Sequence, residues 1–227
     1  MTPTGPRCAA WFPLLLLLVV PLLLPPCPAQ AEGGTWPPLG QLAGGRARRL
    51  AIAGTYAYVA ASATLTVIDI SDPANPRQIA CCEMPGGADD LALSGNYAYV
   101  IDGDLSIVSI ADPYHPTLVG RLEFPRWPVS RVAVDGTHVY VLGAGDVGGL
   151  HVVDVSDPTN PVEVADRGVN SASAIAVSGG YAYVSGGTVQ YRHLEIISVA
   201  DPIHPALVAY LSFPTLVPSC ISQRNIV

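Results

Sequence analysis

Residues 150–161 read LHVVDVSDPTNP, and three other stretches of the chain repeat this pattern. They are LTVIDISDPANP at 65–76, LSIVSIADPYHP at 105–116 and LEIISVADPIHP at 194–205. Each copy follows a second repeated run, such as LAIAGTYAYV at 50–59, whose glycine recurs at spacings of 41, 41 and 43 residues. A period in the forties with four strand-like runs per unit is typical of β-propeller blades.

Each repeat unit predicts four short strands, A to D. Strand A ends at a glycine such as Gly54, which suits a type II′ hairpin because glycine adopts positive φ without strain. Strand C ends in an Asp-Pro turn, where the aspartate accepts hydrogen bonds from nearby N–H groups and the proline fixes φ. We therefore interpret the repeated aspartates as turn residues, not catalytic ones. They are Asp72, Asp112, Asp157 and Asp201.

Composition agrees with an all-β fold. Half of the 227 residues are hydrophobic, and 22 glycines and 22 prolines separate short apolar runs. We predict a β-propeller with four visible four-stranded blades of about 42 residues each. The repeats span 46–87, 88–128, 129–170 and 171–213.

These repeats resemble the LVIVD-repeat family. The resemblance rests on the S/A-G-x-Y-A-Y-V and V-I-D-I-S-D-P-A-N-P runs and covers about residues 46–213. Members of that family lie on or outside bacterial and archaeal cells and are expected to form β-propellers. The resemblance implies the fold but no activity, because the family has no agreed catalytic residues to carry over.

Residues 1–31 have the organisation of a secretory signal peptide. Arg7 precedes an apolar stretch, WFPLLLLLVVPLLL at 11–24, and an A-x-A site ends at Ala31. We expect cleavage after Ala31, a secreted or cell-surface protein, and no membrane span after cleavage. An uncleaved anchor is disfavoured by the prolines in the apolar stretch, and a lipoprotein by the two prolines before Cys27.

The ends of the repeat region predict an incomplete ring. Residues 32–45 contain an orphan run that resembles strand D, WPPLGQLAGG at 36–45, with no strands A to C before it. The tail at 214–227 does not continue the pattern. We expect a truncated relative of a propeller with about six to eight blades.

Charge excludes several function classes. The chain has no lysine, and its 11 arginines face 18 acidic residues. We therefore expect no nucleic-acid partner. Walker A, Schiff-base and Ser-x-x-Lys chemistry all require a lysine and are excluded. The arginines at 46, 48 and 49 are interpreted as a solvated loop.

The third repeat contains a glycine motif. Gly143, Gly145 and Gly148 spell G-x-G-x-x-G, and Asp166 stands at roughly the spacing of a ribose-binding acid. A dinucleotide fingerprint leads into a helix, whereas this run leads into a strand of the third repeat. We interpret it as a B–C loop, with no cofactor.

The histidines and cysteines fit no site pattern. His115 and His204 are interpreted as turn residues, His138 and His151 as strand residues, and His193 as a residue of a variable loop. Asp102 and Asp104 could ligate calcium, although D-G-D is more often a turn. Cys81 and Cys82 point to opposite faces of a strand and are badly placed to pair with each other, although one of them could pair with Cys220. We interpret these cysteines as small buried residues without a redox function.

Loop lengths indicate where a ligand would bind. The A–B and C–D turns have equal lengths, whereas the B–C loops, predicted at 60–64, 101–104, 142–149 and 185–193, do not. The D–A connections, which open on the same face as the B–C loops, also vary in content. Function tends to lie on such variable loops, and aromatic and arginine side chains anchor interfaces. The candidate ligand-face residues are Arg126, Trp127, Tyr191, Arg192 and His193.

We therefore expect a non-catalytic binding scaffold for a protein or glycan at the cell surface, with no catalytic, cofactor or metal residues assigned. Two alternatives stay open. One is a propeller hydrolase or lyase with its site on the same face, and the other is a structural module of a larger envelope protein.

Overall fold

The computed structural model describes residues 47–125, 128–143, 148–169, 171–188 and 191–214. These residues form sixteen strands in four antiparallel sheets, with no helix among them. The predicted all-β class and the four-stranded blades are confirmed. The predicted signal peptide and the orphan run at 36–45 lie outside the described residues, as does the tail beyond 214.

Each blade pairs its strands in chain order, as a meander. Blade 1 contains β1 (Ala47–Ala53), β2 (Tyr56–Ala61), β3 (Thr64–Asp69) and β4 (Arg77–Glu83). Blade 2 contains β5 (Asp90–Ser94), β6 (Tyr97–Ile101), β7 (Leu105–Ser109) and β8 (Thr117–Leu122). Blade 3 contains β9 (Val129–Asp135), β10 (His138–Gly143), β11 (Gly149–Asp154) and β12 (Val162–Gly168). Blade 4 contains β13 (Ala172–Ser178), β14 (Tyr181–Gly187), β15 (Tyr191–Ser198) and β16 (Ala206–Pro214).

The meander gives every blade two different ends. The A–B and C–D connections open at one end, which we call the turn face. The B–C and D–A connections open at the other end, which we call the loop face. Gly143 ends β10 and Gly148 leads directly into β11, so these two glycines of the G-x-G-x-x-G run lie beside strands of the loop face and not at a helix N-terminus. Gly145 lies outside the described residues.

The A–B hairpins confirm the role of the repeated glycine. The first residue of each two-residue turn has φ between 55° and 62°. These residues are Gly54, Gly95, Gly136 and Gly179. In blades 1 to 3 only this residue has positive φ, as the predicted type II′ turn requires. In blade 4 the next residue, Gly180, also has positive φ, at 78°, which is the type I′ pattern.

The C–D turns hold their aspartates in a repeated hydrogen-bond pattern. Asp157 Oδ1 accepts hydrogen bonds from Thr159 N at 3.0 Å and from Thr159 Oγ1 at 2.7 Å. The aspartates of the other three turns accept from the backbone N–H two residues later in the same way. Side-chain hydrogen bonds above all, together with backbone ones, lower the pKa of all four carboxyl groups. The interpretation of these aspartates as turn residues is confirmed.

The core of the protein lies between the blades. Each of the three blade interfaces buries a separate apolar cluster. Tyr58 and Leu65 of blade 1 pack with Val100 of blade 2, Ile107 of blade 2 with Val141 of blade 3, and Val152 of blade 3 with Val184 of blade 4. Adjacent blades meet through their innermost strands β1, β5, β9 and β13. Within the described residues the ring is open, because blade 4 does not pack against blade 1.

Asp90 connects three innermost strands. Its carboxylate is buried in blade 2, where Oδ2 accepts a hydrogen bond from Val132 N of blade 3 at 3.0 Å. Oδ1 lies 2.6 Å from Arg49 Nε of blade 1. Arg48 pairs similarly with Asp89 at 2.7 Å. The predicted loop is wrong, because Arg48 and Arg49 lie in β1 and form ion pairs that connect blades, although both side chains are exposed as expected. Arg46 lies outside the described residues.

The outward side of blade 4 is apolar and exposed. Tyr181, Tyr183, Leu211 and Phe213 are each between 37 and 59% exposed.

No helix of the described residues is long and apolar enough to cross a membrane.

The two adjacent cysteines of β4 differ. Cys81 is disulfide-bonded, and its partner lies outside the described residues. Cys82 is a free thiol, and burial raises its pKa. Of the possibilities left open by the sequence, the structure therefore favours the one in which one of these two cysteines forms a disulfide elsewhere in the chain. The alternation of side chains along β4 explains why Cys81 does not pair with its neighbour.

Asp157→Ala removes both hydrogen bonds to Thr159, so we expect the midpoint of thermal unfolding to fall by about 2–4 °C. Asp157→Asn is the matched control, because an amide oxygen still accepts from Thr159 N. The carboxylate's contribution should be present above pH 3.8, the ordinary aspartate pKa, and lost below it, since its pKa is lowered in the fold. Differential scanning calorimetry at pH 7 and pH 2.5 tests both points, and an unchanged midpoint in Asp157→Ala would contradict the role.

Gly120 of β8 should tolerate no side chain, because a Cβ there would collide with the Pro158 carbonyl oxygen in the C–D turn of blade 3. We expect Gly120→Ala to lower the free energy of unfolding by about 1–3 kcal/mol through overpacking between blades. Gly168 of β12 is the control, because a Cβ there meets nothing within 4 Å. Urea unfolding of both variants should show a loss only for Gly120→Ala; equal midpoints would contradict the close approach.

Candidate ligand-binding site

The loop face differs from blade to blade. Its B–C connections are residues 62–63, 102–104, 144–148 and 188–190. Its D–A connections are 84–89, 123–128 and 169–171. The turn face, by contrast, has four two-residue A–B turns and four seven-residue C–D turns. The unequal loops predicted for one face are therefore present, although they are shorter than the sequence suggested.

The prediction of a long loop at 185–193 is wrong. β14 continues to Gly187 and β15 begins at Tyr191, because the two strands keep pairing as far as Gly187 and Arg192. His193 is consequently a buried strand residue that faces blade 3, and its ring stacks on Tyr210 with centroids 5.3 Å apart. It cannot serve as an exposed ligand-face residue.

The other candidate ligand-face residues are only partly placed by the structure. Arg192 is exposed in β15, opposite Phe213 of β16. Tyr191 is the first residue of β15. Arg126 and Trp127 lie outside the described residues.

In blade 2, the Asp-Gly-Asp loop is occupied by an arginine. Arg121 Nη1 lies 2.8 Å from Asp102 Oδ2, and its Nη2 lies 2.8 Å from Asp104 Oδ2. Asp104 Oδ1 also accepts a hydrogen bond from Phe124 N at 2.9 Å. Although burial opposes it, these hydrogen bonds and charges raise the pKa of Arg121. The loop that could have ligated calcium therefore contains its own cation.

A cavity of about 450 Å³ opens between blades 2 and 3 near the loop face. Glu123, Phe124 and Pro125 of the blade 2 D–A connection form one wall. The opposite wall comes from strands β11 and β12 of blade 3 and contains His151, Glu163, Val164, Ala165 and Asp166.

His151 is the centre of this cavity's polar group. Its side chain is 5% exposed, and Nδ1 lies 2.7 Å from Glu163 Oε1 and 3.9 Å from Asp166 Oδ1. The Phe124 ring is tilted against the imidazole, with centroids 5.1 Å apart. Nε2 is buried and has no hydrogen-bond partner among the described residues. The three side chains place one nitrogen and two carboxylates within 4.8 Å of one another.

A β-bulge brings Glu163 to this group. Asp166 lies opposite His151 in the β11–β12 ladder, and the register shifts between Val152 and Val153. The shift pairs Glu163 with Val153, which is on the same face of β11 as His151. In an unbroken ladder Glu163 would pair with Asp154 and lie on the other face. All four blades have a register shift at the corresponding place in strand C.

The absence of a side chain at Gly149 leaves room for Asp166. A Cβ on Gly149 would lie 2.7 Å from Asp166 Oδ1. Gly149 is therefore part of the site, since it lets the carboxylate lie close to the strand that carries His151.

The position of His151 is polar and buried in every blade. The equivalent residues, which share its place in the B–C ladder, are Thr66, Ser106 and Glu195. The sequence analysis placed His151 on a strand but missed its partners on strand D. The available signal was the recurring polar residue within an otherwise apolar strand. The bulge, which selects the partner, leaves no comparable signal.

The family model described as LVIVD repeat matches the chain four times, at residues 44–83, 85–123, 128–166 and 170–213. The chain belongs to the LVIVD-repeat family. The blades of the structure and the four family repeats thus agree over most of the chain.

Solved structures resemble this LVIVD-repeat protein in fold alone. The computationally designed protein Ika8 is 13% identical, with a TM-score of 0.56 over 71% of this chain and 48% of its own. A candidate 6-phosphogluconolactonase from Bacteroides uniformis is 13% identical, with a TM-score of 0.60 over 71% of this chain and 55% of its own. The LVIVD-repeat chain thus spans about half the length of these two structures. No curated protein matches it.

Arg121→Met should destabilise the fold by about 3 kcal/mol, because it leaves the fully buried Asp102 carboxylate without its cation. Adding Asp102→Asn in the same chain should restore part of the loss, since it removes the unpaired charge. Urea unfolding of the wild type, the single variant and the double variant measures this coupling. A double variant less stable than Arg121→Met would contradict the assignment.

Proposed function

We propose that this LVIVD-repeat protein is an exported, non-catalytic binding scaffold whose loop face engages a protein or glycan partner. One observation carries the proposal: the turn face repeats the same connections in every blade, whereas the loop face carries blade-specific charges and a cavity. Function tends to reside on variable connections positioned by a rigid frame.

The turn face has few groups left to offer a ligand. Its four aspartates already accept hydrogen bonds within their own turns. In blades 2 and 4, the histidine three residues later also contacts the aspartate, as His115 Nδ1 does with Asp112 Oδ2 at 2.8 Å. These groups stabilise turns, so partner recognition would need to compete with existing bonds.

The loop face combines polar and apolar groups suited to recognition. The cavity between blades 2 and 3 has the exposed carboxylate of Asp166 beside the Phe124 ring and Pro125. Binding sites commonly have this composition, in which apolar walls supply burial and a few polar groups fix orientation. At the inner strands of the same face, Arg131 lines a second cleft with Arg48, Arg49 and Asp89.

Two features support export. The apolar N-terminal run with an A-x-A site is the pattern of a cleaved leader. The disulfide of Cys81 fits an oxidising compartment, because such bonds rarely persist in the cytosol.

A propeller hydrolase or lyase is the second candidate. The observation that favours it is the contact of the buried His151 with the exposed Glu163 at 2.7 Å beside an open cavity, since such a pair can move a proton. Turnover of a ligand found by screening, abolished by His151→Gln while binding persists, would establish the enzyme instead of the scaffold.

Glycan and peptide arrays probed with the purified chain test the binding proposal. Glu123→Arg reverses a charge at the cavity, and we expect it to weaken a selected ligand at least tenfold, by about 1.4 kcal/mol. Thr117→Arg introduces the same side chain at the turn-face end of the same blade and should leave affinity unchanged. If Thr117→Arg weakens binding of the ligand and Glu123→Arg does not, the ligand binds the turn face and the proposal is wrong.

A further inference from the structure

We propose that His151, Glu163 and Asp166 form a binding site for one divalent transition-metal cation of the Zn²⁺ class. This inference is independent of the partner-binding proposal, because it concerns an ion held by this chain's own side chains.

The charge of the site is the first argument. One position of strand D carries opposite charge in blades 2 and 3. In blade 2 Arg121 lies opposite Ser106, whereas in blade 3 Asp166 lies opposite His151. In blade 2 the arginine neutralises two carboxylates. In blade 3 two carboxylates converge, and among the described residues no arginine lies within ion-pair distance of either. A bound cation would supply in blade 3 the positive charge that Arg121 supplies in blade 2.

The donor set is the second argument. One imidazole nitrogen and two carboxylate oxygens suit Zn²⁺ and related ions, whereas Ca²⁺ and Mg²⁺ prefer oxygen ligands alone. The three donor atoms already lie within 4.8 Å, so small rotamer changes would bring each to the roughly 2.0–2.2 Å that Zn²⁺ requires. Three protein ligands leave a coordination position open to the cavity.

The burial of His151 is the third argument. The side chain is 5% exposed, and its Nδ1, the nitrogen that would ligate the ion, lies 2.7 Å from Glu163 Oε1 and 3.9 Å from Asp166 Oδ1. The fold therefore holds the nitrogen donor beside both carboxylates. Phe124 shields the imidazole on one side, and Gly149 leaves space for the Asp166 carboxylate on the other. The buried imidazole thus anchors the site at the cavity wall, and the two exposed carboxylates complete it.

The chain contains natural comparisons. The His115–Asp112 and His204–Asp201 pairs have similar nitrogen–oxygen distances, 2.8 and 3.0 Å, but they are exposed and have no third donor in the part of the chain that the structure describes. His115→Asn is a conservative control, because asparagine occupies the same turn position in blades 1 and 3. Cys82→Ser controls for zinc binding by the free thiol.

Isothermal titration of the metal-free purified chain with Zn²⁺ tests the site. We expect one ion per chain with a dissociation constant below about 10 μM, and a loss of at least twentyfold in Glu163→Gln and in His151→Gln. Asp166→Asn should weaken binding less, since its oxygen starts farther from Nδ1. His115→Asn and Cys82→Ser should bind as the wild type does.

Cobalt provides a readout independent of the calorimetry. Co²⁺ bound by one imidazole and two carboxylates should give visible absorption without the intense ultraviolet band of a thiolate ligand, and Glu163→Gln should abolish that absorption. Circular dichroism of each variant verifies that it is folded; if Glu163→Gln unfolds, Asp166→Asn serves in its place. Binding that survives both carboxylate variants, that is lost in His115→Asn or Cys82→Ser, or that is absent in the wild type would overturn the proposal.

Discussion

Each blade is a sheet with two apolar faces, and this constraint governs the rest of the molecule. In strand β2 the neighbours Tyr58 and Val59 point to opposite sides of the sheet, and both are buried. Burial of such side chains supplies roughly 25 cal/mol per Å² of apolar surface, so a blade gains stability only when both of its faces are covered. Three pairs of apolar faces from adjacent blades meet inside the chain, whereas the outward side of blade 4 keeps large apolar residues exposed.

Because the middle of every sheet must be apolar, polar groups collect where strand C begins, next to the loop face. Each such group needs a partner on the neighbouring strand, since a buried polar atom without one is costly. Ser106 contacts the Asp102–Arg121 pair, whereas His151 contacts Glu163. The same packing rule that forms the blades therefore also determines where reactive side chains can be placed.

Local patterns made most of the fold predictable. Gly54 and its equivalents mark the A–B turns, and Asp72 and its equivalents mark the C–D turns. Both can be recognised in the sequence because each acts within its own turn, the glycine through its positive φ and the aspartate through local hydrogen bonds. The site was not predictable in this way. Glu163 reaches His151 only through a shift of ladder register, and His193 became a strand residue because pairing of β14 with β15 continued past the expected strand end. Both outcomes depend on pairing across strands, which cannot be read from the residues of a single strand.

The repeat architecture permits the charge of one position to change without a change of fold. Turn glycines, turn aspartates and the apolar core fix the backbone of every blade in the same way, and the C–D bulge recurs in all four. The side chains beside that bulge can therefore differ between blades without altering the strands. At this place blade 2 has one arginine paired with two aspartates, and blade 3 has a histidine with two carboxylates. Chemical individuality in this chain thus arises from substitutions of a few side chains on a constant frame.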